Sequence, residues 1–190
     1  MLTIHSNLNT IITSKLARLR DIQPGGAVYD HAMHEAADTQ LRSCIQRIHV
    51  AGMASDGGDI GQYGTMPMYV NPKNSPATFQ PQGKTGRTTF ASTGQPHLTR
   101  YFDQGYKGFR QEIGLTSDKV VLSLRGELRD GLMLIPSAHG YGLGWADEQL
   151  HKLSQMLEEK YAKSIWAATA SEKVDVLRCF EDKVREAIKN

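Results

Sequence analysis

Lys119-Val120-Val121-Leu122-Ser123-Leu124-Arg125 is the most strand-like run in the chain, and the stretch from there to Trp145 decides the fold class. After a short break at 126–128, Leu132-Met133-Leu134-Ile135 reads as a second strand. His139-Gly140-Tyr141-Gly142-Leu143-Gly144-Trp145 alternates glycine with larger residues. That pattern predicts a third strand whose one face allows close backbone approach. The short connections favour antiparallel pairing.

Helical patterns flank this sheet. From Asp147 onward, Leu150, Leu153, Leu157 and Tyr161 fall on one face. A last helix starts near Ala170, where Thr169 and Glu172 have the spacing of a capping box. Val174, Leu177, Phe180, Val184 and Ile188 form its apolar stripe. At the other end, Leu8, Ile11, Ile12, Leu16 and Leu19 mark a first helix. Pro24-Gly25-Gly26 breaks it, and an Ala-rich second helix runs from Ala27 to His49. Val28, Ala32, Ala36, Leu41, Ile45 and Ile48 mark its apolar side.

The middle differs in composition. Residues 52–114 hold eleven of the 18 glycines and five of the seven prolines. Asp56-Gly57-Gly58-Asp59, Asn71-Pro72, Ser75-Pro76 and Gly83-Lys84-Thr85-Gly86 are turn chemistry. Aromatic residues run through the same stretch, which argues against disorder. The expectation is an extended arm that orders against a partner or a neighbouring copy. Its buried anchors would be Tyr63, Tyr69, Phe79, Tyr101, Phe102, Tyr106 and Phe109. Arg100 and Arg110 would pair with carboxylates across the subunit boundary. The expected architecture is thus α+β, one domain over 1–190. It comprises N-terminal helices (1–51), the arm (52–114), and a small antiparallel sheet with two C-terminal helices (115–190).

Charge and motifs exclude other classes. The formal net charge is +2, from 22 basic and 20 acidic residues. A duplex-binding domain usually carries a stronger basic excess. The alternative of a nucleic-acid-binding accessory protein rests on Lys84, Arg87, Arg100, Lys107 and Arg110, interleaved with aromatics but diluted by Asp103 and Glu112. Cys44 and Cys179 form no CxxC pair, and they suit a reducing cytoplasm. No apolar run approaches the roughly 18 residues of a membrane span, and Met1-Leu2-Thr3-Ile4-His5-Ser6 has no signal-peptide pattern. Gly83-Lys84-Thr85 lacks the earlier glycine of a phosphate loop, since Thr78 stands there. Asp56 and Asp59 are too few oxygen ligands for a calcium loop. His31 and His34 lack zinc-protease spacing, and there is no Gly-x-Ser-x-Gly elbow. The expectation is therefore no enzyme, no cofactor, no metal and no membrane partner.

The last part of the chain resembles the phage virion-morphogenesis family, the Mu-type tail-completion proteins. The resemblance is carried by Leu122-Ser123-Leu124-Arg125-Gly126-Glu127-Leu128, Tyr141-Gly142-Leu143-Gly144-Trp145, and Lys160-Tyr161-Ala162 followed by Ile165-Trp166, Thr169 and Glu172. Upstream, Gly83-Lys84-Thr85-Gly86 and Tyr101-Phe102-Asp103-Gln104-Gly105-Tyr106-Lys107-Gly108-Phe109-Arg110 resemble a loop segment of variants in phages of Bacteroidetes. The likeness spans 83–190 and rests on the order of these motifs. The Phe-Gly-Gly stretch and Arg-Pro-Phe run of many members are absent. The resemblance implies a virion protein of a tailed bacteriophage: a tail terminator or head-tail connector, made in the host cytoplasm and placed at the head-tail junction. Its implied partners are its own copies in a ring of six or twelve, the tail tube, and neck, adaptor or portal proteins, with non-specific contact to DNA in the lumen. It implies no catalytic residues.

Overall fold

The computed structural model describes residues 8–71, 85–89, 96–138 and 140–189. The fold is α+β. Two compact units form, each drawn from separate stretches of chain. Unit 1 takes 1–43, 133–144 and 168–190; unit 2 takes 44–132 and 145–167. These boundaries cut across the three compositional zones. No described helix is long and apolar enough to cross a membrane.

The helices follow local chemistry. α1 spans Leu8–Asp21 and α2 spans Ala27–Ile45. The expected run to His49 does not stay α-helical: it widens into a π-helical turn, Gln46–Ala51. Gly52 ends that turn at φ 70°, where a side chain would strike the Val120 carbonyl. α3 (Gly105–Glu112) and the single turn α4 (Glu127–Asp130) follow. α5 covers Glu148–Tyr161, and the Asp147 carboxylate accepts from the Gln149 and Leu150 amides at 2.7 and 3.2 Å. α6 covers Ala170–Lys189. Its capping box is formed as the spacing predicts: the Thr169 amide donates to Glu172 Oε2 at 2.8 Å, and the Glu172 amide donates to Thr169 Oγ1 at 3.1 Å.

Where it is described, the middle is folded and not an extended arm. Met68–Val70 (β1), Thr85–Thr89 (β2) and Pro96–Phe102 (β3) make a three-stranded antiparallel sheet in the order β1-β3-β2. Val70 pairs with Arg100, and Arg100 with Thr85 on its other side. α3 packs on this sheet. Val70, Phe102 and Phe109 form a buried cluster, with Met68, Tyr106, Ile113 and Leu124 against it. The glycines and prolines of this zone are therefore punctuation inside a folded body. Gly105 shows why at one position: it holds φ 58°, and a Cβ there would collide with the Met66 carbonyl.

The Lys119–Arg125 run does not form a strand either. Val120 and Val121 are buried, as apolar residues should be, but their backbone bonds go elsewhere. The Val120 amide donates to the Gly61 carbonyl at 3.3 Å, and the Val121 amide donates to the Tyr63 hydroxyl at 3.1 Å. Arg110 takes the carbonyls: Nε donates to Thr116 O and Nη1 to Ser123 O, each at 2.7 Å. Leu122 turns through φ 42°, which breaks any strand. The other two expected strands are present as β4 (Leu132–Ser137) and β5 (Gly140–Trp145), a separate two-stranded sheet.

Arg110 is 1% exposed and is the largest fully buried side chain in the described chain. Its removal leaves two carbonyls without donors, each costing about 1–3 kcal/mol. Arg110→Met is expected to lower unfolding free energy by roughly 2–5 kcal/mol. Urea denaturation checks this; an unchanged midpoint would show that the guanidinium carries no structural load.

Candidate interaction surface

The residues expected to grip a partner mostly serve the chain itself. Tyr63, Phe102 and Phe109 are buried in unit 2. Phe102 and Phe109 meet edge-on with centroids 5.5 Å apart, and Tyr106 bridges Tyr63 (5.4 Å) and Phe109 (5.6 Å). Strand alternation and one helical face turn Phe102 and Phe109 toward their own chain, and Tyr63 is buried there too. The two arginines also have partners within the chain. Arg100 ion-pairs with Glu112 of its own chain and lies over the Phe102 ring at 5.1 Å. Arg110 stacks on Tyr63 at 4.4 Å and donates to carbonyls. Tyr69 and Tyr101 form a ring pair at 5.1 Å, with Tyr69 about half exposed on the opposite face from Val70. Phe79 lies outside the described residues.

A different surface emerges in unit 1. Among the described residues, thirteen of the fifteen buried hydrophobic side chains belong to unit 2, and unit 1 contributes Ala32 and Ala36. Conversely, seven of the twelve exposed large hydrophobic residues among those described belong to unit 1: Leu16, Leu19, Met133, Ile135, Val174, Leu177 and Ile188. Helices in proteins draw most of their stability from burying an apolar face, and clustered exposed apolar residues mark contact sites. The α6 stripe read from the sequence is split. Phe180 packs edge-on against Tyr29 at 5.5 Å, whereas Val174, Leu177 and Ile188 face water.

Two grooves open in the same unit. One, of about 470 Å³, lies among α2, β5 and α6, lined by Met33, Ala37, Tyr141, Leu143, Val176 and Phe180 among others. The second, of about 330 Å³, lies between α1 and the end of α6, lined by Leu19, Ile22, Val28 and Ile188 with Lys15 and Arg18 at its side. Both have mainly apolar walls, with Lys173 also lining the first and Asp21 joining Lys15 and Arg18 at the second. Among the described residues no three His, Cys, Asp or Glu side chains converge as a metal set.

One buried titratable group stands apart in unit 2. His49, 7% exposed, sits in the π-helical turn with its ring 6.0 Å from Trp166. Neither ring nitrogen has a well-formed hydrogen-bond partner among the described residues. Burial holds its pKa below the ordinary 6.5, and Arg129 adds to that; the backbone of Val121 and Leu122, and Asp130, oppose in part.

No known protein family, curated protein or solved structure matches this chain.

The His49 shift carries a pH dependence of stability. The unfolded chain takes up the proton at a higher pH than the folded one, so stability is full above about 6.5 and falls as pH drops toward the folded value. His49→Phe is expected to flatten the fall in urea midpoint between about pH 7.5 and pH 5. Identical slopes for both proteins would remove His49 as the cause.

Proposed function

We propose that the chain is a structural subunit of a tailed-phage virion that assembles with its own copies into a ring at the head-tail junction. The observation that carries this reading is the uneven burial. Unit 2 holds nearly all of the core among the described residues, and unit 1 leaves α1, α6 and the β4–β5 hairpin with apolar side chains in water. Such a surface fits a protein that acts by association. The order of motifs in 83–190 supplies the phage assignment. Contact between copies then moves from the middle of the chain, where the aromatic rings are used internally, to the faces of unit 1. Head-to-tail contacts of this kind close into a ring when the rotation between neighbours closes.

The nucleic-acid alternative loses its best-placed cations. Arg100 is occupied by Glu112 and Arg110 by backbone carbonyls.

Electron microscopy and mass photometry of the purified protein test the reading. The expected result is a closed ring of six or twelve copies that grows in population with concentration. The double variant Val174→Glu/Leu177→Glu, at two positions more than half exposed, is expected to keep its circular dichroism and remain monomeric. A wild-type protein that stays a compact monomer at every concentration, or a variant that assembles equally well, overturns it.

A further inference from the structure

The β4–β5 hairpin is unusual in its chemistry. Residues 131–146 contain no Asp, Glu, Lys or Arg. The sheet has two strands only, so among the described residues each strand has one paired edge and one unpaired edge. A two-stranded hairpin is marginal by itself. Edge strands that must stay single are normally guarded by charge, by inward-pointing lysines, or by bulges. Here the guard is at most Pro136 in β4, which removes one amide donor.

The two strands are also complementary in shape. Met133 and Ile135 are two residues apart, so they share a face, and they are 45% and 40% exposed. Gly140, Gly142 and Gly144 share a face of β5 for the same reason. Within one chain, Ile135 already lies over Gly144, so the bulky face of β4 and the bare face of β5 are on the same side. Gly142 has nothing within 4 Å of where its Cβ would stand.

We infer that the unpaired edge of β4 in one copy adds to the unpaired edge of β5 in the next, extending the hairpin into a sheet that runs between subunits. This inference rests on the ring reading above and specifies its contact. The occupant is a second copy of this chain for three reasons. An uncharged edge brings no like-charge repulsion when it meets itself. It offers nothing for a charged partner to select. And Met133 and Ile135 of the neighbour find open space over Gly142, repeating the packing of Ile135 over Gly144. A β4-to-β5 contact joins two different edges, so it propagates from copy to copy, whereas β4-to-β4 pairing would stop at a dimer.

Site-directed cross-linking tests it. Full-length Met133→Cys and Gly142→Cys proteins are mixed, oxidised with copper-phenanthroline, and digested for mass spectrometry. The expected product is a 133–142 link between differently labelled chains, absent from either variant alone. Met133→Cys alone giving 133–133 links would mean isologous pairing and overturn the proposal. Rings of the wild-type protein with no 133–142 link would also overturn it while leaving the ring reading intact. A 133–142 link in open chains without rings would uphold the strand pairing and overturn the ring. Gly142→Val provides the second variant. Its side chain has room in the single chain, so thermal stability is expected to hold or rise. Self-association is expected to weaken about tenfold or more, because the added side chain fills the neighbour's place. Unweakened association of Gly142→Val argues against the contact.

Discussion

A guanidinium taken out of water must have its donors satisfied, and Arg110 satisfies them on the backbone. It draws the Thr116 and Ser123 carbonyls onto one side chain of α3 while its face rests on Tyr63, whose hydroxyl in turn receives the Val121 amide. One cation thereby ties a helix, an irregular segment and a loop together. Arg47 repeats the device from the π-helical turn, donating to Met53, Ile165 and Ala167 carbonyls at 3.2, 2.9 and 2.9 Å. Glu158 serves the same stretch from α5, accepting from the amides of Ile165 and Trp166 at 2.6 and 3.2 Å. Unit 2 can be largely irregular and still well buried because side chains do the bonding that a sheet ladder would otherwise do.

Unit 1 has no equivalent. Its helices and hairpin are regular, with backbone bonds closed locally, but among its described residues the fully buried apolar ones are alanines. Local hydrogen bonding specifies the shape of such elements without supplying much of the driving force for keeping them ordered. The two units thus divide the labour. Among the described residues, one carries most of the buried core, and the other presents formed elements with exposed apolar side chains.

How much of this was legible from residues alone follows from the same division. Elements closed by local signals were readable: the start of α6, through Thr169 and Glu172, the α1–α2 break at Pro24-Gly25-Gly26, and the β4 and β5 strands. Elements set by distant partners were not. The Lys119–Arg125 run has strand composition, yet Arg110, Tyr63 and Gly61 claim its backbone groups from far along the chain, and no local pattern encodes that. Tyr63, Phe102 and Phe109 of the middle zone are buried, and Phe102 and Phe109 are each other's partners across a strand-to-helix turn, which the sequence pattern did not specify. The α6 stripe was legible as apolar, but which part faces inward depends on where Tyr29 stands. The open hairpin edges left a readable trace, the absence of charge over 131–146, which periodicity alone does not weigh.

The magnitude of the exposed surface bears on which kind of assembly it suits. Full burial of a Leu, Ile, Val or Met side chain is worth about 1.5–3 kcal/mol. The seven exposed residues of unit 1 are each about half exposed, so covering them yields on the order of 5–10 kcal/mol. Bringing two bodies together costs about 4–15 kcal/mol in lost freedom. Apolar burial alone therefore sits near balance for a pair of copies. A ring changes the balance, since the last contact closes within an already joined chain and meets its partner at high effective concentration. Strand addition along the hairpin adds directional hydrogen bonds to the same contact. In the ring proposed above, a surface of this size would leave isolated pairs near balance and gain most from closure.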